Sequence, residues 1–262
     1  MGDLIHPTAI LEPGVKLDEG VRVGPYAVVG KGVSLGVGVE VGPHVVLAGI
    51  THIGAGTRIS AHACVGGAPQ HVEWDGEAMR LEVGRDNWIR EHVSIHVGTN
   101  SGEACTRIGD GNLIMNGAHI AHDCQIGSQT VISSFCGLAG HVIVEDYAVL
   151  GAYTGVHQRA RVGESAMTAA GTKLSQDAPP FSLVAGDRAR LVGLNTVGMQ
   201  RREFPERTLN AIKRAHRTVF GRQLRWEEAL DRVDTEWGHV PEVGRWSAFL
   251  RASERGVCRA AR

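Results

Sequence analysis

Val29-Gly30-Lys31-Gly32-Val33-Ser34-Leu35-Gly36-Val37-Gly38-Val39-Glu40-Val41-Gly42 decides the fold. Val29, Leu35 and Val41 recur every sixth residue, each followed by glycine, with the small or β-branched Ala27, Val33 and Val39 two positions ahead. The register extends back to Ile5 and forward through Leu47, Ile53 and Ile59 to Val65. It breaks over 66–80, returns at Val83, Ile89 and Ile95, breaks over 98–105, and then runs from Ile108 to Val162. A period of six fits neither a helix nor an alternating strand. It is the signature of a parallel β-helix, in which each hexad makes one short strand and one corner. Three hexads close a triangular coil of 18 residues, and coils stack at the strand spacing of ~4.8 Å. The recurring aliphatics then fill the prism, and the two breaks are loops thrust out of it. Loops on a rigid scaffold often carry binding function, although tolerated insertions are the plainer reading.

Composition agrees. The chain has 35 glycines in 262 residues, nearly twice the usual ~7%. Only 7 of them follow residue 174. Aromatics are few (5 Trp, 3 Tyr, 5 Phe), as a narrow interior requires. With 9 prolines and 43% hydrophobic residues, collagen and disorder are poor fits. The net charge of −1 averages two regions: 11 basic and 17 acidic residues up to 174, then 16 basic and 11 acidic. No global charge points to nucleic acid, and no run of 18 apolar residues predicts a transmembrane span. The N-terminus has no basic start or apolar core, so no secretory signal is expected. The odd set Cys64, Cys105, Cys124, Cys136 and Cys258 has no C-x-x-C pair, which suits a reducing cytoplasm and no cysteine metal site.

The reading divides the chain into a hexapeptide-repeat prism over 1–174 and a helical domain over 175–262. Asp177-Ala178-Pro179-Pro180 breaks the pattern, and beyond Asn195 the chain turns helical. Helices are expected from Pro205 to Gly221, from Trp226 to Trp237, and from Pro241 to about Arg255. They are expected to cap the open end of the prism and cover its last coil.

Most histidines, such as His6, His44, His52, His62, His92 and His96, read as outward surface residues. Ala118-His119-Ile120-Ala121-His122-Asp123 differs, with two histidines in one hexad and a carboxylate beside the second. Stacking by 18 sets His122 next to Gly140, His119 on Gly137 and Gly155, and His157 on Ala139, with His141 adjoining. This is a shallow groove floored by glycine and alanine. A histidine beside a bare backbone N–H is what acyl transfer needs: a base for a hydroxyl and a donor for the oxyanion. With an unperturbed value near ~6.5, a histidine can act as base at cell pH, and Asp123 can fix its tautomer.

The hexads resemble those of hexapeptide-repeat acyltransferases, which implies a mainly β fold, a left-handed parallel β-helix with a C-terminal α-helical domain. Asn116 to Cys124, Leu138-Ala139-Gly140-His141-Val142, Val156-His157-Gln158 and Leu194 to Arg202 narrow the resemblance to the UDP-N-acetylglucosamine acyltransferases of lipid A synthesis in Gram-negative bacteria. It covers nearly the whole chain. It implies a cytoplasmic homotrimer that moves a 3-hydroxyacyl group from acyl carrier protein to the 3-position of the UDP-sugar. It implies no metal and no cofactor beyond the phosphopantetheine borne by the carrier, with sites in clefts between prisms. Carried over by motif, His122 is the general base, Asp123 its partner and the Gly140 N–H the oxyanion donor. His119, His141, His157 and Gln70 line the site, Asn195 and Arg201 contact the nucleotide or phosphopantetheine, and Ala170 sets acyl length. The small Ala170 suits a fairly long chain. One departure stands out: His71-Val72-Glu73-Trp74 replaces the common acidic-aliphatic-Lys-aromatic pattern, so a basic contact has become acidic.

Several alternatives remain on sequence. Some relatives acylate a 3-amino sugar instead. The later N-acyltransferase of the pathway carries an N-terminal uridine-binding domain, for which hexads starting at Ile5 leave no room, and coenzyme A acetyltransferases lack the tail motif. A γ-type zinc carbonic anhydrase would need three converging histidines, but Asp123 and the tail argue against it. A non-catalytic ice-binding or scaffold solenoid would show a regular outward threonine ladder, which this chain lacks. The basic tail suits an acidic acyl carrier protein, with Arg201, Arg202, Arg207, Lys213, Arg214 and Arg217 as a docking patch or as a plain solvated face.

Overall fold

A computed structural model describes residues 4–76, 79–100, 102, 104–221 and 223–260. Met1–Asp3 and positions 77, 78, 101 and 103 of the two expected loops therefore lie outside the described residues, as do 222, 261 and 262. The hexads build a three-faced parallel prism, with sheets of nine, eight and ten strands among the described residues. Face one runs from Ile10–Leu11 to Lys173–Leu174, face two from Lys16–Leu17 to Arg161–Val162, and face three begins at Arg22–Val23. Each two-residue strand bonds to the strand one coil away: Ile10 pairs with Val28, and His119 with Gly137. Ile50 pairs with Arg80 rather than with residue 68, and Arg80 with Cys105 rather than with residue 98. The two breaks in period are therefore insertions that leave and re-enter the same stack.

The recurring aliphatics point inward. Val29, Leu47, Ile53, Ile89, Ile95, Ile114, Ile120, Ile132 and Leu138 are buried in one continuous core. Burying each contributes about 1.5–3 kcal/mol. Buried threonines sit two positions ahead of several of these aliphatics and satisfy the backbone from within: Thr154 Oγ1 donates to Gly151 O at 2.6 Å and Thr172 Oγ1 to Ala169 O at 2.7 Å. Among the described residues no aromatic ring joins the fully buried prism core. Rings sit on the corners instead. Tyr26, His44, His62 and His92 form a stacked column with centroids 5.2, 4.9 and 5.1 Å apart. All four are left-handed, with φ between 57° and 62°. Three of the histidines read as unrelated surface residues are thus one column.

The prism extends past Leu174. Ser182–Ala185 pairs in parallel with Met167–Thr168, then turns into an antiparallel hairpin with Arg190–Leu194. Four helices follow: α1 (Thr196–Arg201), α2 (Glu206–Phe220), α3 (Trp226–Trp237) and α4 (Pro241–Arg251). They build a core of their own around Phe181, Met199, Leu230, Trp246 and Leu250. The helices stand against the corner between faces two and three, where Glu164 takes Arg202 at 2.7 Å and Arg245 at 3.0 Å. Extended chain pairs the backbone at the end of the prism, and Phe220 of α2 packs against the prism core. Lys173 N donates to Gly186 O and Leu191 N to Arg259 O, while buried Cys258, Ala189 and Leu191 join the prism core. The expected cap by helices alone is thus shared with extended chain, and the reason is chemical: the last coil exposes backbone donors and acceptors that only an extended segment can pair. α4 stops at Arg251 rather than near Arg255 because Ser253 Oγ donates to Asp177 Oδ2 at 2.6 Å, drawing the chain to that end.

His216 of α2 packs on Phe220, with ring centroids 4.9 Å apart, and burial pushes it down to about 4. A histidine with a depressed folded value stabilises the fold above its unfolded value near ~6.5 and loses that contribution as pH falls through the folded one. The helical domain is therefore expected to weaken between roughly pH 6.5 and 4. His216→Leu should flatten this dependence in thermal unfolding followed across that range.

Candidate active site

The corner that follows face one carries the chemistry. Ile120 anchors the strand inward, so the next residues, Ala121 to Cys124, must turn. Asp123 makes the turn in the left-handed region, at φ 59°, and His141 does the same one coil on, at φ 60°. Such a backbone is uncommon for residues other than glycine, and Asp and His are among those that tolerate it. The turn directs the Asp123 carboxylate back to its neighbour: Asp123 Oδ2 lies 2.8 Å from His122 Nδ1. Both residues are buried, at 5% and 3% exposure. Burial by itself would raise the Asp123 carboxyl, but hydrogen bonds from Thr99 and His122 hold it below the ordinary value. An ionised Asp123 keeps the proton of His122 on Nδ1 and leaves Nε2 as the basic atom.

Gly140 lies against the ring of His122. A Cβ there would stand 2.5 Å from Cε1 and 2.6 Å from Nε2 of His122, so only glycine permits this seat. The Gly140 carbonyl accepts from Arg159 N, while its N–H enters no hydrogen bond among the described residues. Gly137 and Gly155 differ: a Cβ on either would meet nothing within 4 Å. They bare a strip of face one beside His119 whose width is limited by no neighbour in this chain.

Two imidazoles stand against the dyad, and a third lies on the strand that leads to it. His141 stands edge to face with His122 at 5.2 Å, and His71 of the first insertion meets the His122 ring at 5.2 Å from another side. His119 Nδ1 is 2.8 Å from Ser94 Oγ, and its ring faces His96 at 5.1 Å. Burial holds both His119 and His141 below the ordinary imidazole value. Cys124, next to Asp123, is no nucleophile: burial pushes its thiol up to about 12. His122, Asp123 and His141 offer ligand atoms within 4.8 Å of one another, which is a metal-sized spacing. Asp123 Oδ2, however, already accepts from Thr99 Oγ1 at 2.6 Å beside its 2.8 Å contact with His122, so an ion would have to displace both.

His119, His122, Asp123, Gly140 and His141 thus come together on adjoining coils. His157 stands on the same corner, exposed, with Nδ1 3.1 Å from Gln158 O. Gln70 is exposed on the first insertion, next to His71. Asn195, Arg201 and Ala170 lie elsewhere on this chain. Asn195 caps α1, accepting from Gly198 N at 3.0 Å and donating to Ser165 O at 3.0 Å, on the corner between faces two and three. Arg201 is exposed at the end of α1. Ala170 is exposed on the corner that precedes face one, across that face from His122. A cleft of about 500 Å³ flanks the dyad and includes Asp123, His141, Arg159, Arg161 and Arg255. A larger one, about 860 Å³, lies on face three near the first coils and holds none of these residues.

Sequence reading missed four participants. His96, read as an idle surface residue, ties down the first insertion, with Nδ1 2.6 Å from Ala68 O. His71 touches the ring of His122, whereas it read only as part of a departure from the family pattern. Thr99 and Thr106 hold Asp123. The two breaks in the period were the only signal for these residues.

Comparison with known proteins gives this arrangement a family. Residues 177–258 match the model of the second domain of UDP-N-acetylglucosamine O-acyltransferase, and 105–140 match the bacterial transferase hexapeptide model. The acyl-[acyl-carrier-protein]–UDP-N-acetylglucosamine O-acyltransferase of Janthinobacterium sp. (strain Marseille) is 46% identical over 260 residues, spanning 98% of this chain and 99% of that protein. This chain belongs to that family. The like-named enzyme of Alkalilimnicola ehrlichii is 48% identical over 255 residues, 97% of this chain and 99% of its own. The crystal structure of the Moraxella catarrhalis UDP-N-acetylglucosamine O-acyltransferase superposes with a TM-score of 0.94 at 34% identity, covering 98% of this chain and 100% of that one. The Arabidopsis UDP-N-acetylglucosamine acyltransferase does so at 0.86 and 34%, with the same coverage. The chain is an acyltransferase, and its fold is the left-handed β-helix with a helical tail.

Gly140→Ala is expected to push the imidazole of this acyltransferase off its seat. A crystal structure of the variant should show the 2.8 Å contact between His122 and Asp123 broken. Gly137→Ala, where there is room for the methyl group, should leave it intact.

Proposed function

We propose that this chain transfers a 3-hydroxyacyl group from acyl carrier protein to the 3-hydroxyl of UDP-N-acetylglucosamine, the first step of lipid A synthesis, with His122 as general base. The observation that carries the reading is the buried His122–Asp123 pair seated on Gly140 in a chain of this family. The 3-hydroxyl gives its proton to His122 Nε2 as its oxygen attacks the thioester carbonyl. The Gly140 N–H stabilises the oxyanion that forms. The C–S bond then breaks, and the imidazolium returns the proton to the leaving thiolate. Asp123 stabilises that imidazolium between the two steps. His119, His141 and His157, with Gln70, orient the sugar and the acyl chain, and the strip over Gly137 and Gly155 receives the chain itself. No cofactor is required beyond the phosphopantetheine that arrives on the carrier.

Asn195, Arg201 and Ala170 lie away from His122 in one chain, which supports a homotrimer whose neighbouring prism brings them to the groove. Ala170, being small, sets a fairly long acyl limit. The enzyme is cytoplasmic in this reading; all five cysteines are unpaired, and among the described residues no helix is long and apolar enough to cross a membrane. The tail carries the carrier-protein dock, in amended form. Arg202 leaves the patch because it is bound to Glu164 and Ser165 and stacked 3.8 Å over Tyr147. Arg207 and Arg214 remain exposed and line a cleft of about 700 Å³ with Trp237 and His239.

His122→Ala should abolish transfer while the thermal midpoint and assembled mass persist; near-normal turnover would remove His122 as the base. Assay of several acyl carrier proteins against UDP-N-acetylglucosamine and its 3-amino analogue tests the reaction, and preference for the amine would overturn O-transfer. Reversal of charge at Arg207 and Arg214 should raise the KM for carrier protein several-fold and leave the KM for the sugar nucleotide unchanged.

A further inference from the structure

The second insertion is not merely a tolerated loop. Two of its residues, Thr99 and Gly102, close on the carboxylate of Asp123. Thr99, 2% exposed, reaches the carboxylate twice. Its N–H donates to both oxygens at 3.1 Å, and its Oγ–H donates to Oδ2 at 2.6 Å. Gly102 lies flat on the same carboxylate, where a Cβ would fall within 2.7 Å of both oxygens. From below, Asp123 N donates to Thr106 Oγ1 at 2.8 Å, which fixes the left-handed turn itself.

Such a grip matters because the carboxylate has two imidazoles within reach. Oδ2 is 2.8 Å from His122 Nδ1 and 3.9 Å from His141 Nε2. A swing of roughly 1 Å would bring it into hydrogen-bond range of His141 instead. His122 would then lose the acceptor that keeps its proton on Nδ1. We infer that Thr99 is a positioning residue of the acyl transfer: its hydroxyl pins Asp123 to His122 and denies it to His141. This rests on His122 being the base, as proposed above. Thr99 touches no reacting atom and acts through Asp123.

The test is a double-variant cycle on the full chain. Thr99→Val keeps the backbone donor and the side-chain shape but removes the hydroxyl. A hydrogen bond to a charged group of this kind corresponds to about a ten- to hundredfold change. Thr99→Val should therefore lower kcat by about that factor, with both KM values within about twofold. Thr99→Ser, which restores the hydroxyl, should recover kcat to within a few-fold. In an Asp123→Asn background the Thr99→Val change should cost less than about twofold, because residues acting as one unit are not additive. 15N spectra of the imidazoles, taken without substrate, should show His122 as the Nδ1–H tautomer in the wild type and as a mixture in Thr99→Val. If Thr99→Val does not fold, Thr99→Ala carries the same cycle. An unchanged kcat and tautomer in the hydroxyl-less variant, equal impairment of the Ser variant, or a full multiplicative loss in the double variant would overturn the inference. A wild-type chain inactive on UDP-N-acetylglucosamine would instead overturn the proposed function, and the tautomer spectra would still decide the role of Thr99.

Discussion

Every strand among the described residues is two to five residues long, too short to stand alone, and all but Arg190–Leu194, the hairpin partner of Ser182–Ala185, bond to a strand one coil away. That rung-to-rung register is the constraint on which the rest depends. It forces residues one coil apart into columns at strand spacing, so a column must be chemically uniform or complementary along its length. The interior columns are branched aliphatics. One corner column is four stacked rings from Tyr26 to His92, and another runs through Asn87 and Asn112, with Asn112 N donating to Asn87 Oδ1 at 2.9 Å. The insertions obey the same constraint: Val65 still pairs with Ile95, and Ile95 with Ile120, across either side of them.

The active site exploits the columns at a corner. His122, Gly140 and Gln158 share one column, and Asp123, His141 and Arg159 the next, the latter three in left-handed turns with φ of 59°, 60° and 63°. The conformational cost of such turns, about 1–3 kcal/mol where a side chain is unsuited, is offset by the stack that over-determines them. In exchange, a carboxylate and two imidazoles converge where a regular strand would alternate them to opposite faces. The insertions then cover the pair. His71 covers the ring of His122 and Thr99 the carboxylate of Asp123, leaving the Nε2 edge over Gly140 as the way in.

Much of this was legible in the residues. A six-residue period predicts the coil, the coil predicts which residues stack, and stacking set His122 beside Gly140 and His119 on Gly137 without any coordinates. The helices α2 and α3 followed from capping and apolar spacing to within a residue. What escaped reading lay where the period lapses. Thr99, His96 and His71 act from, or upon, segments outside the hexads, and no periodicity says how far a loop folds back. Arg202 looked like one more exposed tail cation, but Glu164, Ser165 and the Tyr147 ring take it from solvent. The end of the prism was misjudged for a related reason: patterning identifies a helix but not the unpaired backbone edge it would have to satisfy.

The sequence by itself determined the prism, its two insertions, the helical tail and the dyad with its glycine seat. These depend on spacing along the chain, and spacing is what a linear code records. Only the tertiary structure decided that the second insertion grips Asp123 and that the helices stand beside the prism. It also decided that Asn195, Arg201 and Ala170 sit away from His122 within a single chain. Those outcomes depend on which polar groups remain unsatisfied once the coils have closed, a balance of hydrogen bonds and burial that exists only in three dimensions.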